Sequence, residues 1–383
     1  MVTNTARWWM MIILLGGILT ACQQFQPSFN YEYRFNEVFP TEAPRTATAI
    51  PARMPTTPFP TRQSVPLLAA TVAAPLAAVE AQTMQLFAQT VPAVASIDVE
   101  FSHPSVDGSA PMRPMLLSQG SGFLYDDQGH IVTNAHVVSD QSEYLVRFGQ
   151  SKAYTATVIG RDSASDIAVL AIAEPIDVAP LMLSQRPPTT GMWVMAIGNP
   201  LGLRDSMSLG VVSAVGRTLE GSGQYRIPDI IQVDAAINRG SSGGVLIDSS
   251  GAVLGITTAI QSASGNFEGI GYAIPAHQLK RIVPVLIAQG YYQHAWLGVR
   301  MQDNNPQNPD GVYVSAVVAD GPAGRGGIEA GDVIIGINTN DIRDISDLER
   351  TLAGVTVGTL LEITVQRQGT QRMIRVEAGV RPD

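Results

Sequence analysis

One cysteine, Cys22, stands in a chain of 383 residues, so no intrachain disulfide can form. The five histidines are scattered, with no HExxH and no paired Cys/His spacing, which gives no reason to expect a metal or any other cofactor. Charge is sparse and net acidic: 15% of residues are charged and the formal net charge is −9. A nucleic-acid partner would want a basic face and an acidic substrate would be disfavoured, so neither is expected. Hydrophobic residues, at 45%, suffice for most of the chain to fold. Its length suits two or three domains, each with its own core.

What is present concentrates in one stretch. From Asp234 to Gly255 the sequence runs DAAINRGSSGGVLIDSSGAVLG, and its centre, Gly240 to Gly244, sets two serines among glycines. Glycines beside a hydroxyl let successive N–H groups converge on one spot. The following Val245-Leu246-Ile247 reads as a strand. A nucleophile beside an anion hole needs such a loop. A plain turn between strands is the alternative, and a phosphate loop is disfavoured because no Lys follows the glycines.

At the N-terminus, Arg7 precedes an apolar block, Trp8 to Leu19, shorter than the roughly 20 residues that span a bilayer. It fits the central region of a signal peptide over residues 1–22. The ending Leu19-Thr20-Ala21-Cys22 resembles a bacterial lipobox, which implies that Cys22 is lipidated and anchors the protein to a membrane; a short uncleaved anchor is the other reading. Either one exports the chain. Residues 23–78 turn to Pro, Thr and Ala without sustained periodicity and read as a linker, with an aromatic-rich patch from Phe25 to Phe39 that is assigned nothing.

A short helix is expected over Val79–Thr90, then a strand from Val94 to Phe101 and a loop from Ser102 to Leu117. Gly122–Tyr125 and His130–Thr133, joined by Asp126-Asp127-Gln128-Gly129, form a β-hairpin pattern that delivers His136 just beyond its second strand. Further strands are readable at Glu143–Phe148, Ala153–Gly160, Asp166–Ile172, Trp193–Gly198 and Ser208–Val215. Many short strands with almost no helix predict an all-β barrel or sandwich. His136, Asp166 and Ser242 each fall at a strand end or in a loop, and they supply a base, an orienting carboxylate and a nucleophile for acyl transfer.

The stretches GSGFLYDDQGHIVTNAHVV, RDSASDIAVLAI and IIQVDAAINRGSSGGVLIDSSGAVLGI, with IGNPLGL, GVVSAVGR and GIGYAIP, resemble the trypsin-like serine proteases of the HtrA/Deg family over about residues 90–383. The resemblance implies two six-stranded antiparallel β-barrels of the chymotrypsin type at 79–275. It makes His136 the general base, Asp166 its orienting acid and Ser242 the nucleophile, with Gly240, Ser241 and Ser242 around the oxyanion hole. The family usually has Asn where Ser241 stands, and a small residue or Pro where Val245 stands. Arg217 matches an arginine that contacts the activation loops, here Leu219–Asp229. The trimeric assembly of the family is implied as well. Ala235-Ala236-Ile237, with no Asp in that run, implies a shallow apolar S1 pocket for Val, Ala or Ile.

Residues 276–292 read as a connecting helix containing Pro284. Residues 293–383, with Trp296-Leu297-Gly298-Val299 and GPAGRGGIEAGDVIIGINTNDI, resemble one α+β PDZ domain, which implies that Leu297, Gly298 and Val299 capture peptide C-termini. The leading expectation is an exported, membrane-anchored endopeptidase of protein quality control and stress response, acting on misfolded polypeptide in the bacterial envelope. A catalytically idle, chaperone-like peptide binder is the alternative; retention of all three triad residues opposes it. A solute-binding lipoprotein is opposed by the β pattern.

Overall fold

The computed structural model describes residues 70–102, 114–138, 143–199, 206–220, 226–238, 240–260, 267–302 and 311–382. The signal segment, Cys22 and most of the expected linker lie outside these.

Helix α1 (Ala70–Thr90) opens the described chain. It starts well before Val79, so the end of the expected linker is helical: the alanine-rich run ATVAAPLAAV favours helix despite Pro75. Six strands follow: β1 (Val94–Ser102), β2 (Pro114–Leu124), β3 (His130–Thr133), β4 (Glu143–Phe148), β5 (Tyr154–Asp162) and β6 (Ile167–Ile172). They close into a barrel in the order β1-β2-β3-β6-β5-β4. A second set, β7 (Trp193–Gly198), β8 (Ser206–Glu220), β9 (Arg226–Val233), β10 (Val245–Ile247), β11 (Val253–Ile260) and β12 (Gly271–Pro275), closes in the order β10-β11-β12-β9-β8-β7. These are the two six-stranded barrels that the resemblance implied.

Closure places apolar residues of alternating strands inside, where Ile97, Phe123, Ile131 and Leu170 are fully buried in the first barrel and Ile231, Leu246 and Leu254 in the second. β8 and β9 run farther than expected, so the described residues of Leu219–Asp229 are strand; three register shifts along the pair let the ribbon continue past its barrel.

Helix α2 (Ala276–Gln289) is one continuous helix with Pro284 on its exposed side. Its Leu279, Ile282, Val283 and Leu286 belong to the same buried cluster as the first barrel. A Cβ on Gly160 of β5 would meet the Leu286 carbonyl at 2.6 Å, so only glycine admits the helix this closely.

The last domain has its own core. β13 (Ala295–Trp296) pairs with β20 (Gly379–Val380), while β14 (Val299–Gln302), β15 (Val312–Val317), β16 (Val333–Ile337), β17 (Asn340–Asp341), β18 (Leu360–Arg367) and β19 (Thr370–Glu377) form one sheet with the short helix α3 (Pro322–Gly326) and with α4 (Ile345–Ala353). Asp344 caps α4 by accepting from the Asp347 N–H at 2.8 Å.

Candidate active site

Antiparallel pairing of β3 with β6 sets Thr133 opposite Ala168. The residues just beyond one strand end and just before the other therefore meet. His136 Nδ1 lies 2.9 Å from both carboxylate oxygens of Asp166, and the His136 N–H donates to Asp166 Oδ1 at 3.0 Å. Asp166 takes a positive φ of 56°, a left-handed turn that aspartate tolerates better than most residues. Two residues that the motif reading passed over complete its surroundings: Thr258 Oγ1 donates to Asp166 Oδ2 at 2.5 Å, and Asn134 Nδ2 donates to the Asp166 carbonyl at 3.0 Å. The Asp166 side chain is 11% exposed and the His136 side chain 44%. A nearly dry carboxylate thus holds a ring that is open to solvent.

Ser242 comes from the other barrel, on the loop that enters β10. Its carbonyl accepts from the Ser121 N–H of β2 at 2.8 Å, which ties the barrels together beside the site. Its hydroxyl donates to the Thr258 carbonyl at 3.1 Å rather than to His136. Among the described residues the N–H groups of Gly240 and Ser242 donate to nothing, whereas Ser241 N–H donates to Asn238 and Gly243 N–H to Thr257. Gly240 stands at φ 90°, where a side chain would be strained. Ser241 is buried.

The chain matches the model of a trypsin-like peptidase domain over residues 120–256 and that of a PDZ domain over 295–378. It is 39% identical over 290 residues to a probable periplasmic serine endoprotease DegP-like of Bartonella henselae, covering 74% of this chain and 57% of that one. Among solved structures, the HtrA-type protease AlgW with a decapeptide is 32% identical at a TM-score of 0.65, with 78% of this chain and 99% of that chain covered. AlgW with a tripeptide is 32% identical at 0.66, covering 78% and 97%. The chain belongs to the HtrA/Deg family. It spans 57% of the length of the Bartonella relative and 55% of a second DegP-like relative from Brucella suis.

In this HtrA-type chain Leu297 and Gly298 are buried and Val299 is half-buried. Gly298 takes φ 80°. The Leu297 and Gly298 carbonyls accept from Ala323 N–H at 2.7 Å and Val318 N–H at 2.8 Å, while their own N–H groups donate to nothing among the described residues. These residues line a groove of about 270 Å³ with Met301, Leu348 and Leu352. Arg226 of β9 pairs with Glu349 of α4 at 3.2 Å, so the protease-domain ribbon touches the PDZ helix. Arg217 lies on β8 opposite Ile230 and is exposed, and its side chain makes no hydrogen bond or ion pair among the described residues. It is not brought to the triad.

The PDZ domain also carries carboxylates held by arginine. Burial by itself would raise the Asp332 carboxyl, but Arg367, donating from Nε at 2.6 Å and Nη2 at 2.8 Å, brings it below the usual carboxylate range. Asp347 is lowered chiefly by its hydrogen bond from Arg343 Nε at 2.8 Å, against a smaller opposing effect of burial. Both folded values lie below the unfolded ones. Their contribution to stability is therefore complete above the unfolded carboxylate pKa of about 4 and is lost as pH falls through the folded values. The thermal midpoint of the PDZ transition is expected to stay level from pH 7 to about 5 and to drop below about 4. Calorimetric scans at these pH values check it; a midpoint that rises between pH 5 and pH 3 would contradict it.

Proposed function

We propose that this chain is an exported serine endopeptidase of the bacterial cell envelope, which cleaves unfolded or misfolded polypeptides in protein quality control and is regulated by peptide C-termini at its PDZ domain. The observation that carries the reading is the combination of a half-exposed imidazole, held by both oxygens of a nearly dry carboxylate, with a serine whose loop presents two N–H groups that donate to nothing among the described residues. His136 takes the Ser242 proton as Oγ attacks the scissile carbonyl, and Asp166 stabilises the resulting imidazolium. The Gly240 and Ser242 N–H groups receive the developing oxyanion, and His136 then returns the proton to the leaving amine. Ser241 lies between these donors in sequence. The S1 pocket accepts small aliphatic residues such as Val, Ala or Ile.

AlgW, a relative by sequence and fold, was solved with a decapeptide and with a tripeptide. That supports peptide capture by Leu297, Gly298 and Val299 here. The periplasmic naming of the DegP-like relatives supports an envelope location. Cys22 carries the lipid anchor, the protein assembles as a homotrimer, and Arg217 acts on the activation loop in the assembled state. One observation favours the second reading, an idle peptide-binding lipoprotein: the Ser242 hydroxyl faces the Thr258 carbonyl instead of the base. The hydroxyl turns about a single side-chain bond, and on the protease reading its present direction is a resting state that peptide binding shifts.

The test is casein cleavage by the full chain in detergent beside Ser242→Ala. Equal activity in the two would remove the enzyme reading and leave the idle one. Cys22→Ser is expected to move the protein from the membrane pellet to the soluble fraction, because the chain holds no other cysteine. A mutant that stays in the pellet with its signal segment uncleaved would show a simple apolar anchor instead.

A further inference from the structure

Three consecutive carbonyls of the nucleophile loop are each held from outside it. The Gly240 carbonyl accepts from Ser121 Oγ at 2.7 Å, the Ser241 carbonyl from Thr257 Oγ1 at 2.5 Å, and the Ser242 carbonyl from Ser121 N–H at 2.8 Å. Ser121 is 0% exposed and Thr257 1%, so neither hydroxyl has water as a substitute partner. We infer that Thr257 and Ser121 are positioning residues that preset the oxyanion hole, Thr257 by fixing the peptide plane that carries the Ser242 N–H and Ser121 by fixing the planes on either side of it.

The argument runs through peptide geometry. In a trans peptide the C=O of one residue and the N–H of the next point to opposite sides of one rigid plane. Thr257 and the Gly244 N–H, the latter at 2.9 Å, both bind the Ser241 carbonyl. The Ser242 N–H, on the same plane, is thereby turned the other way, where it donates to nothing among the described residues. Ser121 acts on the preceding plane: its hydroxyl holds the Gly240 carbonyl while the Ser241 N–H on the far side donates to Asn238 at 2.9 Å. That plane can turn in neither sense without losing a buried hydrogen bond.

Ser121 also accepts from the Asn199 N–H at 2.9 Å through Oγ and from Thr133 Oγ1 at 2.7 Å through its carbonyl. Thr133 ends the strand that leads to His136. One buried residue therefore sets the distance between the base-bearing strand and the loop of the nucleophile. Neither hydroxyl reaches the reacting atoms; both act through the backbone.

The inference rests on the protease reading above, and the experiment separates the two. Thr257→Val keeps the branched shape of the side chain and removes only the hydroxyl, whereas Thr257→Ser keeps the hydroxyl. In the full chain in detergent, Thr257→Val is expected to lower kcat on casein-derived peptides by about tenfold or more, with KM changed less than about twofold. The rate at which a fluorophosphonate probe labels Ser242 should fall in parallel, since that reaction also builds negative charge in the hole. Thr257→Ser should stay within about threefold of wild type.

Ser121→Ala is expected to behave as Thr257→Val does, and it serves if the latter does not fold. A role in stability alone would lower the melting midpoint and leave kcat and the labelling rate of the folded fraction unchanged. That result overturns the inference, as would equal losses in Thr257→Val and Thr257→Ser. Wild type that neither cleaves nor takes up the probe would overturn the parent reading along with it.

Discussion

Ser242→Ala and His136→Ala are each expected to abolish turnover, with kcat falling by about 10⁶ in either variant and no further loss in the double mutant. The non-additivity follows from the chemistry, because a base without its nucleophile, or a nucleophile without its base, has nothing left to activate. The fold should survive. Among the described residues the Ser242 hydroxyl makes one hydrogen bond, to the Thr258 carbonyl, and the His136 side chain is 44% exposed, so neither truncation opens a cavity in a packed core. Steady-state kinetics on an unfolded protein substrate, with circular dichroism on the same samples, checks both halves. Either single variant retaining a tenth of wild-type turnover would displace that residue from its role.

Gly243→Ala should be the most damaging one-carbon change in the protease domain. Gly243 stands at φ 83°, and a Cβ there would lie 2.0 Å from the Ser121 carbonyl oxygen and 2.3 Å from Thr133 Oγ1. Both neighbours are buried, and the first is backbone that holds the site together. Strain and overpacking combine to a destabilisation of about 2–5 kcal/mol, with activity lost even in the folded fraction. Gly191 provides the contrast: its φ is 88° but no atom lies within 4 Å of the added carbon, so Gly191→Ala meets only the backbone strain of about 1–2 kcal/mol. Denaturant midpoints for the pair test this, and equal midpoints would show that the loop gives way around the new methyl.

The candidate trio was legible because each member sits in a stretch whose composition is locally odd: GSSGG before a strand, a histidine after a hairpin, an aspartate at the mouth of an apolar strand. Their helpers were not. Thr257 and Thr258 stand in GITTAI, where threonine is an ordinary strand former, and nothing local tells a hydroxyl that holds a carbonyl from one that faces solvent. Ser121 was hidden similarly inside GSGF. Its partners Gly240 and Asn199 are distant in sequence, and only closure of two barrels brings them together.

Boundaries failed for different reasons. Pro75 disguised the start of α1, and the glycines of LEGSGQ gave no sign that β8 runs on to Glu220 and that β9 begins at Arg226. Strand spacing, by contrast, pointed to an all-β barrel or sandwich, and the resemblance supplied the two six-stranded barrels and the PDZ domain.

The seating of α2 governs where this chain can be cut. Leu279, Ile282, Val283 and Leu286 are fully buried with the first barrel, and the Gly290 carbonyl accepts from the Arg161 N–H at 3.1 Å. A protease fragment ending at Pro275 would leave an apolar trough along β5 and β6 open to water, and would aggregate or associate through it. One ending just past Gly290 takes its own lid along. The helix that joins the two domains in sequence therefore belongs, in any dissection by limited digestion or truncation, to the first of them.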